Sequence, residues 1–359
     1  MSAAILYNKD DFKVLFSKNF LLLVTISIPS AIIADYFNIP LAWMLGPMIA
    51  ISIAALLGIK VMMPKIALSI VLIILGLYIG NYIDQNLINK MIEWIWTTII
   101  MFFYILISIF IVSKYLQKFS KYNLKTSIFS AAPGALGPLM ILAEYEKSDL
   151  SQIATSHLIR LIIIITVFPF IVDSFYNSEN IKFPETIVEN QNIFDLLILI
   201  VLSITFIIIF DKLKIPAALL AGTLIASGFL QISEIAAYKL PGNVIDYCLL
   251  ILGSSVGCRF ANKTFNEIAK NTLHSFVATF FLVLLGFLAA VVASYVIDQN
   301  FFTLLLSYCP GGIYEVAVIA IFFNLDPEFV SFHHIIRLLM ILFVVPVILK
   351  IINKKKRIV

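Results

Sequence analysis

The chain has 359 residues, of which 61% are hydrophobic and 13% charged, with a formal net charge of +4. An ordinary soluble domain is about a quarter charged, and apolar runs of about 17 to 25 residues recur too often here for one buried core to absorb, so the composition is that of a polytopic membrane protein. The longest polar stretch between those runs, 173–192, leaves no room for a soluble catalytic, receptor or DNA-binding domain.

In chain order, residues 1–19 mix Lys9, Asp10, Asp11, Lys13 and Lys18 and read as a cytoplasmic N-terminal segment. The next apolar run is interrupted by Pro29, ends at Asp35 and shows no small-residue cleavage site, which predicts a retained first span and not a cleaved signal peptide. Apolar segments then fall at 20–35, 41–58, 66–83, 93–113, 125–144, 151–173, 195–211, 216–233, 243–261, 273–296, 302–323 and 329–351. They group into a first membrane repeat (20–175), an extracytoplasmic linker (176–193), a second membrane repeat (194–351) and a basic cytoplasmic tail (352–359). Cys248, Cys258 and Cys309 stand singly among apolar neighbours, so neither a disulfide framework nor a zinc site follows.

The two halves share a spacing. Asp35, Ile39, Pro40 and Gly46 recur as Asp211, Ile215, Pro216 and Gly222, an offset of 176. The offset then becomes 177: Leu75, Gly76 and Gly80 match Leu252, Gly253 and Gly257, and Pro133 and Gly134 match Pro310 and Gly311. Asp149, His157, Arg160 and Pro169 likewise match Asp326, His334, Arg337 and Pro346. Agreement among such rare residue types predicts an internal duplication. If the segments 125–144 and 302–323 enter and leave the bilayer on one side, 20 of the 25 Lys and Arg lie inside, three outside and two within spans. If all twelve segments cross, the division is 16 against 7. The positive-inside rule favours the first arrangement. Five full spans per copy would invert the second copy relative to the first, so the expected fold is an all-α membrane protein of two inverted repeats, each with five transmembrane helices and one re-entrant or broken helix.

Chemistry concentrates at two repeated elements. Ser130–Pro138 reads S-A-A-P-G-A-L-G-P and Ser307–Glu315 reads S-Y-C-P-G-G-I-Y-E. Proline removes a backbone donor and glycine admits strained dihedrals, so one helix should stop at Pro133-Gly134 or Pro310-Gly311-Gly312 and another begin. The free N–H groups of the new helix suit an anion; the alternative is a kinked but ordinary span. The second element is H-x-x-R, His157 to Arg160 and His334 to Arg337, whose spacing puts both side chains on one helical face. Asp149 and Asp326 are the expected N-caps, the latter with Pro327 at the first helical position. Eleven residues from such a cap put each arginine roughly 16 Å deep, near the bilayer midplane. An arginine there costs at least about 2.5–3.5 kcal/mol, so it must face the protein interior and find a partner. That partner is either a substrate anion or the carbonyls freed by the break. His157 and His334 are candidate proton carriers or hydrogen-bonding spacers. Glu315 follows the second break, where the first copy has Pro138; it is a candidate H⁺ or Na⁺ coupling group, or else a cap for orphan N–H groups. Lys354 to Arg357 reads as a topological anchor and the pair Trp94 and Trp96 as an interfacial belt; His274 and His333 suggest no partner.

At the breaks and the H-x-x-R helices the sequence resembles the AbrB duplication family of bacterial membrane proteins. The resemblance rests on A-A-P-G-A with S-H-L-I-R, on C-P-G-G-I-Y-E with H-H-I-I-R, and on I-P-x-x-x-x-x-G at Ile39–Gly46 and Ile215–Gly222, and it spans about 20–350. Ala135 replaces a second glycine, and Pro138 replaces a glutamate usual in the first break. The resemblance implies a multi-pass protein of the bacterial inner membrane and, in some members, a link to regulation of gene expression. Members also carry ammonia monooxygenase or transcriptional regulator labels. A copper oxygenase needs clustered imidazoles, whereas the four histidines are divided between two distant helices and a lone His274. A DNA-binding regulator needs a soluble basic module. The expectation is therefore no enzyme and no cofactor, but a secondary transporter of a small anionic or zwitterionic metabolite with both termini cytoplasmic. Its substrate would meet Arg160, Arg337, His157, His334 and the break residues, with H⁺ or Na⁺ coupled at Glu315. The alternative is a membrane sensor acting on gene expression through a partner. The lipid bilayer is the expected surrounding, nucleic acid is not an expected partner, and a homodimer is compatible with the pattern.

Overall fold

A computed structural model describes residues 9–83, 85–176, 193–235, 241, 243–261 and 265–356. Residues 1–8 of the N-terminal segment, the interior of the 176–193 linker and the last three residues of the basic tail lie outside the described residues. The described chain is helical throughout. Its first half runs α1 (Lys9–Leu15), α2 (Lys18–Tyr36), α3 (Ala42–Leu56), α4 (Lys65–Gly80), α5 (Leu87–Phe119), α6 (Leu124–Ala131), α7 (Leu136–Tyr145) and α8 (Leu150–Tyr176). The second runs α9 (Ile193–Lys212), α10 (Ala218–Ser233), α11 (Asn243–Cys258), α12 (Phe265–Ser294), α13 (Phe301–Tyr308), α14 (Ile313–Phe322) and α15 (Pro327–Lys356). Six helices, α2, α5, α8, α9, α12 and α15, are long and apolar enough to cross a membrane. Lipid offers no hydrogen bonds, so helices that satisfy their own backbones are what such a composition can form.

Helices α2 to α8 and α9 to α15 correspond one to one, and several of their turns do as well. Left-handed backbone recurs at Asn38 and Lys214 (φ 52° and 56°), at Leu41 and Ala217 (53° and 57°), and at Lys147 and Asn324 (54° and 51°). These pairs keep the sequence offsets of 176 and 177 although their side chains differ. The caps recur too. Asn123 accepts from the Thr126 amide at 2.8 Å to open α6, and Asn300 accepts from the Phe302 amide at 2.8 Å to open α13. Asp149 accepts from the Gln152 amide at 3.0 Å to open α8, and α15 begins at Pro327.

The described chain divides into two compact units, and each takes helices from both halves. The first comprises residues 1–88, 168–264 and 317–328, and so contains α1 to α4 and α9 to α11. Its close contacts depend on missing side chains. A Cβ on Gly76 would overlap the Leu220 carbonyl and Thr223 Oγ1, and one on Gly80 would overlap the Leu224 carbonyl and Ser227, so α4 lies backbone to backbone on α10. Gly253 and Gly257 bring α11 onto α3 in the same way, against the carbonyls of Met44 and Met48. Each pair forms a G-x-x-x-G stripe, the residue pattern by which apolar helices approach when lipid supplies no hydrophobic drive between them. Short hydrogen bonds fasten the contacts: Ser27 Oγ to Ser254 Oγ at 2.7 Å, and Ser227 Oγ to the Leu77 carbonyl at 2.9 Å.

The second unit comprises residues 89–167, 265–316 and 329–359, and so contains α5 to α7, most of α8, α12, α13, the start of α14 and α15. Val112, Leu116, Tyr122, Ala131, Ala278 and Leu282 form a buried cluster joining α5, α6 and α12. Trp94 packs edge-on against Phe329, with ring centres 5.1 Å apart, and holds the start of α15 to α5. Both Pro-Gly breaks and both arginines belong to this unit.

Candidate functional site: two helix breaks clamped by buried arginines

Each predicted break is present. Helix α6 ends at Ala131 and α7 begins at Leu136; α13 ends at Tyr308 and α14 begins at Ile313. The half-helices have 8 and 10 residues in both copies, about 12 and 15 Å long, so no half-helix spans a bilayer alone. The two breaks turn differently. Gly134 has φ +122° and Ala135 φ 61°, whereas Gly311 and Gly312 have no positive φ.

A helix that stops inside an apolar protein leaves its last carbonyls without partners. The H-x-x-R pair of the following long helix supplies them. In the first copy Arg160 Nη1 donates to the Ala132 carbonyl at 2.9 Å, Arg160 Nη2 donates to His157 Nδ1 at 2.6 Å, and His157 Nε2 donates to the Phe129 carbonyl at 2.9 Å. In the second copy Arg337 Nη1 donates to the Cys309 carbonyl, Arg337 Nη2 donates to His334 Nδ1 at 3.1 Å, and His334 Nε2 donates to the Leu306 carbonyl at 3.0 Å. The same four positions are joined in each copy. Arg337 Nη2 makes one further bond, to the Gly311 carbonyl at 2.7 Å. A cation at the C-terminal end of a helix also meets the negative end of its dipole. Because a guanidinium can only donate and a carbonyl can only accept, each histidine is fixed as the neutral tautomer with its proton on Nε2. Protonating Nδ1 would set an N–H against the arginine.

Arg160 and Arg337 are 3% and 2% exposed. Tyr104 and Cys309, both buried, stand within electrostatic reach of both guanidinium groups, which also act on each other. Among the described residues no carboxylate forms an ion pair with either arginine. Two positive charges thus share a buried region with backbone carbonyls and neutral imidazoles as their hydrogen-bond partners. Arg160 Nε is buried without a hydrogen bond. The guanidinium of Arg337 crosses to the other copy's break: its Nη2 and Nε lie 3.4 and 3.5 Å from the place where a Cβ on Gly134 would stand.

The remaining candidates fall as follows. Pro133 and Pro310 are buried in the bends, and Gly311 packs against Ile164 of α8, leaving little room for a side chain. Glu315 is 2% exposed and occupies the third position of α14, its carboxylate turned back against Gly312. Pro138 occupies the same position of α7. The two copies therefore treat the orphan amides of a helix start differently, one supplying a carboxylate and the other deleting an N–H. Away from the breaks, Lys125 Nζ donates to Glu146 Oε2 at 2.5 Å in the turn after α7, which holds the Glu146 carboxyl below its usual pKa.

Some neighbours had no sequence signal. Tyr104 faces Phe281 across the duplication, so the repeat pattern passes over it. His333, which suggested no partner, donates from Nδ1 to the Phe329 carbonyl at 2.9 Å and meets Thr97 Oγ1 at 2.8 Å. Tyr308, the last residue of α13, donates to the Thr97 carbonyl at 2.7 Å, so this network fastens the second break to α5. His274 Nδ1 lies 3.3 Å from the Tyr115 hydroxyl.

The profile of a family described as "Transition state regulatory protein AbrB" matches residues 43–353. YhjN of Bacillus subtilis (strain 168) is 23% identical over 350 residues, covering 90% of each chain. A protein of Escherichia coli (strain K12) named "Putative regulator AbrB" is 23% identical over 324 residues, covering 88% of this chain and 91% of its own.

Proposed function

This chain belongs to the AbrB family, and from that premise we propose that it is a secondary transporter moving a small anionic or zwitterionic metabolite by alternating access. The observation that carries the reading is the pair of buried arginines, one per copy, each fixed at a helix break and neither paired with a carboxylate among the described residues. A buried ion without a counter-charge costs several kcal/mol. A substrate anion between the breaks relieves that cost only while it is bound, so its affinity draws on a charge the protein already holds. Carbonyl clamps keep both guanidinium groups in place when the site is empty, which limits the ordering needed on binding. His157 and His334 position the arginines and present no free ring nitrogen to a ligand. Glu315, buried at the second break, is the group assigned to bind H⁺ or Na⁺.

The duplication and the bias of Lys and Arg support an inverted second copy with the broken segments re-entrant, both termini cytoplasmic and the protein in the bacterial inner membrane. The test is uptake by proteoliposomes offered a panel of carboxylates, amino acids and inorganic anions from outside. Accumulation of one of them that is lost in Arg160→Ala and Arg337→Ala protein supports the assignment; accumulation unchanged in both variants refutes the arginine roles. A second reading, a membrane sensor acting on gene expression through a partner, is favoured by the regulatory description of the family and by the name of the relative from Escherichia coli. It requires ligand binding without flux and a stable protein partner.

A further inference from the structure

We propose that the groove between the end of α7 and the last turns of α15 binds one anionic phospholipid, with its phosphate on Lys350 and Lys354 and the start of its acyl chains against Leu142, Pro346 and Leu349. The proposal does not depend on transport; it requires only that the chain sits in a membrane.

One stripe of α15 makes most of the groove. Counted from Pro346, Leu349, Lys350, Asn353 and Lys354 stand three, four, seven and eight residues further on, so they share a face of the helix. Leu142 of α7 and Glu146, the residue that caps the end of α7, complete the lining. All of these residues belong to the second compact unit. The groove has a volume of about 400 Å³, within the range of small-ligand sites.

Its character changes along its length. Pro346 and Lys354 are about 12 Å apart along the helix axis, and over that distance the α15 wall passes from apolar to cationic. Beside the groove Phe343, Val347 and Ile351 of α15 and Ile141 of α7 are exposed, so the surface around it is one that hydrocarbon covers. A phospholipid carries the same succession of groups, and basic pockets between membrane helices bind anionic headgroups.

Charge selects among the possible occupants. Lys125 Nζ donates to Glu146 Oε2 at 2.5 Å and Asn353 Nδ2 donates to the same oxygen at 3.4 Å, so the one carboxylate of the groove is already answered by the protein. Lys350 and Lys354 are exposed, and among the described residues neither has an ion pair or a side-chain hydrogen bond. A metal cation would meet their two ammonium groups, and a zwitterionic lipid would bring its own cation against them. Free phosphate would leave the apolar wall of Leu142, Pro346 and Leu349 uncovered. Only an anion with hydrocarbon attached matches both parts of the lining.

The test titrates purified protein in detergent with phosphatidylglycerol and with phosphatidylcholine of the same acyl chains, counting bound lipid by native mass spectrometry. Wild type should hold one phosphatidylglycerol about tenfold more tightly than phosphatidylcholine. Millimolar glycerol phosphate, the headgroup without its chains, should not displace it. Protein carrying Lys350→Gln with Lys354→Gln should bind phosphatidylglycerol roughly 30-fold more weakly. Protein carrying Lys60→Gln with Lys65→Gln, which removes two exposed lysines of the other compact unit, should bind it as wild type does. Glu146→Gln, which removes the groove's own negative charge, should bind it more tightly. The four lysines are exposed, so these substitutions leave the fold intact. Equal affinity for the two lipids overturns the proposal, as do equal losses in the two double variants, which would mean attraction to diffuse charge. Displacement by glycerol phosphate overturns it in favour of a soluble phosphate, and weaker binding in Glu146→Gln overturns it by making the carboxylate part of the grip.

Discussion

Replacing each arginine by lysine keeps the positive charge at both breaks while shortening the hydrogen-bonding fork to a single ammonium. Arg337 donates to the Cys309 carbonyl, the Gly311 carbonyl and His334 Nδ1, whereas Arg160 donates to the Ala132 carbonyl and His157 Nδ1. A lysine that reaches one carbonyl in each case forfeits two bonds at position 337 and one at position 160. A hydrogen bond to a charged group contributes about 1.5–3 kcal/mol, so Arg337→Lys should cost about 3–6 kcal/mol and Arg160→Lys about half of that. Desolvation of the cation and repulsion between the two charges are nearly common to both variants and cancel from the comparison. Trp94 lies buried against Phe329 and Phe332 in the same unit, with ring centres 5.1 and 5.2 Å away, so its fluorescence reports the packing at stake. Unfolding in mixed dodecyl maltoside and sodium dodecyl sulfate micelles, followed at Trp94 with Trp43 and Trp96 replaced by phenylalanine, yields the two free energies. Equal losses in the two variants, or losses under about 1 kcal/mol in both, would show that the carbonyl clamps do not hold the breaks.

Three other expectations follow from particular contacts. Gly76→Ala and Gly253→Ala each drive a methyl group into a facing carbonyl, Leu220 or Met44, and should destabilise by about 1–3 kcal/mol in the same micelle assay; Gly58→Ala meets no neighbour but stands at φ +84° and should lose only about 1 kcal/mol. In ¹⁵N spectra of imidazole-labelled protein between pH 6 and 8, His157 and His334 should stay neutral with the proton on Nε2, because Nδ1 of each accepts from an arginine; a charged imidazolium signal that vanishes in His157→Gln or His334→Gln protein contradicts the clamp. The lowered Glu146 pKa implies a native carboxylate that binds its proton at lower pH than in the unfolded chain. Its contribution is present above the unfolded value of about 4.3 and is lost as pH falls through the folded value. Wild type should therefore lose stability below about pH 4.3 more steeply than Glu146→Gln, by no more than about 1 kcal/mol for a single, partly exposed ion pair.

Much of this arrangement could be read without coordinates because it is local. Pro133-Gly134 and Pro310-Gly311 stop a helix wherever they stand, Asn and Asp cap the turn that follows them, and a spacing of three puts His157 beside Arg160 on any α-helix. Rare residues repeating at offsets of 176 and 177 announced a duplication, and asparagine caps then open the matching helices at Asn123 and Asn300, the first bonding the amide three residues on and the second the amide two residues on. The composition alone pointed to apolar helices long enough to cross a membrane.

What the tertiary structure decided is who meets whom across long separations. An arginine at membrane depth must have a partner, but the sequence offers substrate anions and freed carbonyls equally, and only the fold shows Arg160 and Arg337 on the carbonyls of Ala132 and Cys309, 28 residues back along the chain. Periodicity likewise carries no information on Arg337 reaching Gly134, on Tyr104 standing near both guanidinium groups, or on compact units that each borrow helices from both copies. Local rules act through backbone geometry over a few residues, whereas these meetings depend on packing, which is set by the shapes of many side chains at once.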